Sequence, residues 1–283
     1  KRQPLENTIL AIRAAVDQEQ SIMSLMGELL EPPSEVNVYA ALERLATMGM
    51  LQINRGEGVG GHADGTHPDG LHTLESAPLS ALGRLASALP LDARLSRMVG
   101  LGVQLGCTAE AIVLAVACGL PRSPFRIISP LIHKDADAYN ELVREGFLGR
   151  LHFDRGMYSE PLSILSLLGE LSGLDAAESS GATSDAKEER RASRLNSARG
   201  VRWCQQHGLA AKEMRNLLST LRSIRESIAP ILGVSASSLV PPPGPFPSPG
   251  VDGGYKVSLL RALLVWCSHD SLICSAPLAS RGP

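Results

Sequence analysis

Apolar residues recur at intervals of three and four along most of this chain, the spacing that lines one face of an α-helix. The first such segment, 5–16, carries Leu5, Ile9, Ile12 and Val16. Leucine and alanine supply most of the apolar side chains, whereas only 2 Trp, 4 Tyr and 4 Phe are present among 283 residues. Since this composition favours helix over sheet, the sequence predicts a mainly helical fold.

The N-terminal part, 1–78, has the pattern of three short helices followed by a β-hairpin. The predicted elements are helices at 5–16, 20–30 and 34–48 and strands at 50–54 and 71–74. The loop between the strands, 55–70, is long and rich in glycine, which is typical of an insertion at a hairpin tip. Three helices followed by a hairpin is the element order of a winged helix.

The remaining part of the chain is predicted to be helical, with two polar interruptions. The expected helices lie at 79–88, 92–105, 108–119, 135–146, 160–172, 190–207, 210–231 and 255–267. Residues 174–189 are poor in apolar side chains and predict a disordered insertion. Residues 233–254 include five consecutive proline or glycine residues and predict a linker. The predicted domains are therefore 1–78, 79–232 and, beyond the linker, a terminal helix with its tail at 255–283.

Charge and cysteine content limit the partners and the compartment. The net charge is −2, so any binding of nucleic acid must come from a local basic patch. The five cysteines are widely spaced and form no C-x-x-C pair, which is typical of free thiols in a reducing compartment. We expect an intracellular protein of the cytoplasm or nucleus, with the mitochondrion as an alternative. No apolar run is long enough to cross a bilayer, and no membrane partner is expected.

No motif for catalysis or for binding a nucleotide cofactor occurs in the sequence. It contains neither a G-x-x-x-x-G-K-[ST] loop nor D-E-x-H nor G-x-S-x-G. The run Gly56–Gly61 fits G-x-G-x-x-G by letter, but no helix pattern follows it, so it is not interpreted as a dinucleotide site. No catalytic residue is predicted.

Histidine and aspartate cluster in the same glycine-rich loop, at His62, Asp64, His67, Asp69 and His72. Imidazole and carboxylate groups can bind zinc. However, a flexible loop holds such ligands poorly in place, so a solvated loop is the favoured interpretation and no metal site is predicted.

A block of short motifs resembles one known family. In the family it reads roughly L-T-x-L-G-x-x-L-A-x-L-P-x-D-x-R-L-x-x-M, followed by S-P-F. Here it is matched by Leu82, Gly83, Leu85, Ala86, Leu89, Pro90, Asp92, Arg94, Leu95, Met98 and Ser123-Pro124-Phe125. Upstream, Arg2-Gln3-Pro4-Leu5-Glu6-Asn7 and Glu31-Pro32-Pro33-Ser34 match R-T-P-L-E-E and E/D-P-P-S. The order and spacing resemble the region after the motor domains of DEAH-box/RHA-type ATP-dependent RNA helicases.

The second half of the chain resembles that family more loosely. Trp203-Cys204 stands where the family has an aromatic residue followed by Cys. The family's S-D-H-L is replaced by Ser159-Glu160-Pro161-Leu162, and its G-L-Y-P-N-V-A is replaced by a run that begins Trp266-Cys267-Ser268.

The resemblance implies a fold and a role. It implies that 1–78 is a winged-helix domain and that 79–232 is the helical ratchet (helicase-associated) domain. In the family these domains close a channel over single-stranded RNA, which the motor domains move in the 3′ to 5′ direction. ATP and Mg²⁺ would bind to those motor domains and no cofactor to this chain. The implied partners are single-stranded RNA, the motor domains of the same polypeptide, and a glycine-rich (G-patch) activator or ribonucleoprotein proteins.

The chain has no initiator methionine and begins inside a motif. We therefore expect it to be part of a longer polypeptide, in which the motor domains precede it and an OB-like domain follows residue 275.

Candidate RNA contacts are basic residues on the predicted helices. They are Arg94, Arg97, Arg190, Arg191, Arg194, Arg199, Arg202, Lys212, Arg215 and Arg222. The alternative for these residues is the solvated outer face of ordinary amphipathic helices.

Two other classes of function stay open. One is a non-catalytic, helicase-like scaffold in a ribonucleoprotein. The other is a winged-helix DNA-binding protein that places helix 34–48 in a groove. Arg44 is the only cation of that helix, beside Glu35 and Glu43, so the DNA-binding alternative is disfavoured.

Overall fold

The computed structural model describes residues 4–16, 20–53, 74–129, 135–178, 197–244, 246–247 and 251–267. The helices are α1 (Leu5–Ala15), α2 (Ile22–Gly27), α3 (Glu35–Thr47), α4 (Ala81–Ala88), α5 (Ala93–Gln104), α6 (Thr108–Gly119), α7 (Ala136–Asp154), α8 (Glu160–Glu178), α9 (Ala198–Gln206), α10 (Ala211–Leu232) and α11 (Val251–Cys267), with a 3₁₀ turn at Ala236–Leu239. The predicted mainly helical fold is confirmed. None of the helices in these ranges is long and apolar enough to cross a membrane.

Several residues of the sequence block 82–98 have structural roles at the start of α4 and α5. A Cβ atom at Gly83 would lie 2.2 Å from the carbonyl oxygen of Met50, so only glycine lets α4 approach that segment. Asp92 caps α5, because its carboxylate accepts a hydrogen bond from the backbone N–H of Leu95 at 2.9 Å. A cap of this kind stabilises a helix by about 1 kcal/mol. Much of the block therefore specifies how two helices begin and pack.

The segment after α3 pairs with a different stretch from the one predicted. The N–H of Gln52 donates to the carbonyl of Pro78 (2.8 Å), and the N–H of Ser80 donates to the carbonyl of Met50 (2.9 Å). Leu51 and Leu79 thereby form an antiparallel bridge, and both side chains are buried. Leu74, the one described residue of the predicted second strand, lies in a helical turn instead. Residues 54–73, with the predicted hairpin loop, lie outside the described residues.

Two features explain this pairing. The antiparallel bridge buries Leu79, an apolar residue that the predicted pairing left out of the hairpin. The helical turn at 74–76 brings the carboxylate of Glu75 to the start of α2, where it accepts hydrogen bonds from the hydroxyl of Ser21 and the N–H of Met23. Neither tertiary contact is visible in the local alternation of the sequence.

The buried apolar residues form two clusters, which share α4 and α5. The first cluster is built on α1, α2 and α3 and on the bridge between Leu51 and Leu79. The second is built on α5 to α11, with α6 at its centre, where residues 111–116 are all buried. Ala86 and Ala93 belong to the first cluster, whereas Leu85 and Met98 belong to the second. The proposed boundary at 78/79 stays a prediction, and two helices beyond it pack against both clusters.

The predicted polar interruptions are partly structured. Helix α8 continues to Glu178, because the alanines that follow its apolar part are strong helix formers. The rest of the predicted insertion, 179–189, lies outside the described residues. Within the predicted linker, Leu239 is buried and the N–H of Gly244 donates to the carbonyl of Gly169 at 2.9 Å. Helix α11 also begins earlier than predicted, at Val251. Leu239 thus fixes part of this segment against the second cluster.

Helix α11 is tied to α6 by an ion pair between Lys256 and the buried Glu110. We expect Lys256→Gln to lower the free energy of unfolding by about 1–3 kcal/mol, because it leaves the Glu110 carboxylate buried without a cation. The double variant with Glu110→Gln should recover part of this loss, since no charge is then buried. Urea unfolding of the wild type, both single variants and the double variant measures the coupling. Strictly additive losses would contradict the pairing.

The thiol of Cys204 is buried between α9 and α10, and burial raises its pKa to about 11, although Arg215 opposes the shift. At about pH 8 only about one such thiol in a thousand is ionised, so iodoacetamide should label it very slowly. The ordinary value is 9.0. The folded state therefore holds the proton more tightly, and the free energy of unfolding should fall as the pH rises from about 9 to about 11.

Peptide mass spectrometry after timed alkylation tests this prediction, with urea-unfolded protein as the control. Labelling of Cys204 in the folded protein as fast as in the unfolded protein would contradict it.

Candidate functional site

A surface cavity of about 330 Å³ lies where α1 and α3 face the beginning of α5 and the end of α11. Its walls are formed by Pro4, Glu6, Asn7, Arg44, Thr47, Met48, Asp92, Ala93, Arg94, Arg97 and Cys267. Its volume is at the lower end of the range of roughly 300–1,000 Å³ that is usual for sites that bind small ligands. The cavity is therefore large enough for a group of the size of one nucleotide unit.

Hydrogen bonds fix the floor of the cavity. The side-chain oxygen of Asn7 accepts a hydrogen bond from the N–H of Ala93 at 3.1 Å, which joins α1 to the first residue of α5. Asp92 accepts from the N–H of Leu95, as described above. The first N–H groups of a helix have no acceptor inside the helix. In α5, the N–H groups of Ala93 and Leu95 donate to these two side chains instead. The cavity offers arginine side chains, and not the free end of a helix, to a ligand.

Three guanidinium groups and two carboxylates carry the charge of the cavity wall. Glu6 is paired with Nε of Arg44, and Asp92 is occupied as the cap of α5. Arg94 is exposed and Arg97 is half-buried, one helical turn apart on α5. Neither forms an ion pair with another residue in the described part of the chain. The balance of charge therefore favours an anion, and guanidinium groups suit phosphate because they can donate two parallel hydrogen bonds.

An aromatic residue stands beside these arginines at the end of α11. The guanidinium carbon of Arg97 lies 5.7 Å from the centre of the Trp266 ring, within the range of a cation–π contact. The next residue, Cys267, is buried and lines the cavity. Burial raises the pKa of the Cys267 thiol, and the nearby Arg97 guanidinium opposes this shift. Arg97 therefore forms part of the cavity wall and also contacts the ring of Trp266, which is 55% exposed.

Among the other predicted RNA contacts, the four whose side chains the structure describes do not line this cavity. Arg202, Lys212, Arg215 and Arg222 are exposed on α9 and α10. Arg222 is engaged with Glu226, with 2.8 Å between Nε and Oε1. Arg199 lies in α9, but the position of its side chain is outside the description. Residues 190, 191 and 194, all arginines, lie outside the described ranges.

Arg44 is not among the RNA contacts predicted from the sequence. It was noted there only as the one cation of helix 34–48, in the DNA-binding alternative. Arg44 joins Arg94 and Arg97 because α1 packs against both α3 and α4, which brings α3 to the start of α5. No local motif carries this signal, since Arg44 and Arg94 are far apart in the sequence.

The described residues contain no cluster of three or more His, Cys, Asp and Glu side chains that could hold a metal ion. The histidines and aspartates at positions 62–72 lie outside these residues.

No protein-family model matches the chain, but individual helicases do. It is 27% identical over 115 residues to a DEAH-box ATP-dependent helicase of Mycosarcoma maydis (41% of this chain, 6% of the relative). It is 30% identical over 115 residues to the ATP-dependent RNA helicase spindle-E of Drosophila mojavensis (40% and 7%). It is 27% identical over 167 residues to the ATP-dependent RNA helicase TDRD9 of Mus musculus (58% and 10%).

The matched segments thus make up only 6–10% of these relatives. Several helicases nevertheless match at a similar level of identity, and the expected resemblance is confirmed. Over 40–58% of its length, this chain is similar in sequence to DEAH-box and other ATP-dependent RNA helicases.

Proposed function

We propose that this chain is an accessory module of an ATP-dependent RNA helicase and that it binds single-stranded RNA beside the motor domains. The observation that carries this proposal is its similarity to several proteins named as ATP-dependent RNA helicases. The cavity that contains Arg44, Arg94 and Arg97 supplies a chemical basis for contact with the phosphate backbone. In this proposal ATP and Mg²⁺ bind to the motor domains of the same polypeptide.

The arrangement of the helices supports a division of labour between the two clusters. Helices α1 to α3, followed by the bridge between Leu51 and Leu79, support the assignment of this unit as a winged helix. We assign to this unit the role of a packing platform, and to the helical body that of a ratchet which steadies the strand during 3′ to 5′ translocation. The arginine cavity lies between them, where a strand that touches one unit also touches the other.

Helix α7 offers a surface for the motor domains. Its only buried residues among those described are Gly149 and Phe153. Val143, Phe147 and Leu151 are spaced four residues apart, which places them on one face, and all three are exposed, Phe147 by 65%. An exposed apolar stripe of this kind is typical of a contact with another domain. The matched segments are a tenth or less of the length of the relatives from Mycosarcoma maydis and Mus musculus, and we propose that a motor domain of the same polypeptide covers this stripe.

We further propose an intracellular setting in a reducing compartment, either the cytoplasm or the nucleus. The four described cysteines are free thiols, which is compatible with such a setting. A G-patch-type activator or ribonucleoprotein proteins are the partners that we propose besides RNA and the motor domains.

The DNA-binding alternative gains no support from the geometry. Arg44, the only cation of α3, is paired with Glu6 and turned toward the cavity wall. A recognition helix needs free side chains that can reach base edges.

Fluorescence anisotropy with end-labelled oligouridine of about 12 nucleotides tests the proposal. We expect binding to the single strand at about 50 mM salt, weaker binding to a duplex of equal length, and no ATP hydrolysis by the chain alone. If no single-stranded RNA binds at this salt concentration, the proposed function is wrong. ATPase and unwinding assays on the longer polypeptide, with and without charge reversal at Arg94, separate an active helicase from a non-catalytic scaffold.

A further inference from the structure

We propose that the cavity binds one nucleotide of single-stranded RNA, with its phosphate on Arg94 and Arg97 and its base stacked on Trp266. This inference rests on the proposed function and names the ligand and the binding mode of the same site. It assigns a role to Trp266, which stands where the sequence departs from the helicase pattern.

The position of Trp266 is fixed by the packing of α11. Helix α11 lies against α5 and α6, and Leu260 and Leu263 are buried on its inner face. Lys256 ties the earlier part of the helix to Glu110. The last turn of α11 is therefore held beside the cavity, and Cys267 forms part of the cavity wall. A held aromatic ring loses little conformational freedom when it binds a ligand.

The surroundings of Trp266 suit a nucleobase. The ring is 55% exposed, although an indole is among the most apolar side chains. The Arg97 guanidinium lies 5.7 Å from the ring centre, so a cation that attracts phosphate and a surface that stacks a base are adjacent. Stacking of a base on an aromatic ring strengthens binding and tolerates every base, because each base has a flat face.

The other tryptophan, Trp203, has different surroundings. Its ring lies 4.6 Å from the ring of His207, centre to centre, and its carbonyl is 2.9 Å from Nδ1 of the same histidine. Trp203 is half-buried and packs against the second cluster. Trp203 is thus partly covered by the protein, whereas the Trp266 ring is 55% exposed, which makes Trp203 the matched control.

The test uses two proteins that each keep one tryptophan. In the Trp203→Phe protein, emission comes from Trp266. We expect single-stranded oligouridine of about 12 nucleotides to quench it, with the same Kd that anisotropy gives. A duplex of the same length should leave the emission unchanged, because its bases are paired and stacked. In the Trp266→Phe protein, emission from Trp203 should be unchanged by either RNA.

Replacement of the ring itself provides the second readout. Trp266→Leu should weaken binding of the single strand by about tenfold, whereas Trp203→Leu should not weaken it. Circular dichroism verifies that both variants keep their helices.

The outcomes separate the two proposals. RNA binding with unchanged Trp266 emission, quenching of Trp203 instead, or equal quenching by the duplex would each overturn the stacking site and leave the proposed function standing. Absence of RNA binding by anisotropy would remove both.

Discussion

Replacement of Gly102 by leucine should lower the free energy of unfolding by about 3 kcal/mol or more. Gly102 lies on α5 where it faces α6, and even a Cβ atom there would be only 2.2 Å from the Cβ atom of Ala111. Ala111 and the adjacent Ile112 are fully buried at the centre of the second cluster. A larger side chain must therefore push α5 and α6 apart, and overpacking of this kind is strongly destabilising. Urea unfolding followed by circular dichroism measures the effect.

The matched control is Gly254→Ala. Gly254 is also a helical glycine, but among the described residues no atom of a neighbouring element lies within 4 Å of the position of its added Cβ atom. The substitution should raise the free energy of unfolding by about 0.5–1 kcal/mol, because alanine is the better helix former. If Gly102→Leu were tolerated as well as Gly254→Ala, the close contact between α5 and α6 would be wrong.

Reversal of charge at both Arg94 and Arg97 should weaken the binding of single-stranded RNA by about 100-fold, at about 1.4 kcal/mol for each lost contact. The two guanidinium groups stand on the cavity wall and form no ion pair within the described ranges, so the variants remove attraction for phosphate. Arg94→Glu and Arg97→Glu also place two carboxylates opposite the RNA backbone. Anisotropy titration at about 50 mM salt measures the change in Kd.

Arg144→Glu is the control for the change in net charge that each single cavity variant, Arg94→Glu or Arg97→Glu, produces. Arg144 is exposed on α7, contacts only Glu141 among the described ion pairs, and does not line the cavity. It should change the affinity for RNA by less than about threefold. An equal loss for Arg144→Glu and for the cavity variants would mean that net charge, and not this cavity, determines binding.

Sequence alone predicts most of the helices, because their apolar residues keep the helical period. The buried stripe of α10 is one example, since Met214, Leu217 and Leu221 are all fully buried as the spacing requires. The partner of the strand at Leu51 could not be predicted in this way. That choice depends on burial of Leu79 and on a helical turn near Glu75, both of which are tertiary effects.

The candidate site was predictable only in part. Arg94 and Arg97 follow from the resemblance and from their charge. Arg44 lies near Arg94 and Arg97, and Trp266 lies near Arg97, only because of the way in which α3 and α11 are placed beside α5. The spacing of these residues along the chain does not predict this proximity. The basic residues of α9 and α10 look equally suitable in the sequence, yet Arg202, Lys212, Arg215 and Arg222, whose side chains the structure describes, do not line the cavity.

The salt dependence of RNA binding tests whether guanidinium groups at this cavity hold the phosphates of a single strand. The logarithm of the association constant of the wild type should fall linearly with the logarithm of the salt concentration between about 50 and 200 mM. In the Arg94→Ala and Arg97→Ala double variant the slope should be less steep by about 1.4, which is about 0.7 for each lost phosphate contact. An association constant that does not change with salt, or a slope that is the same in both proteins, would contradict the account.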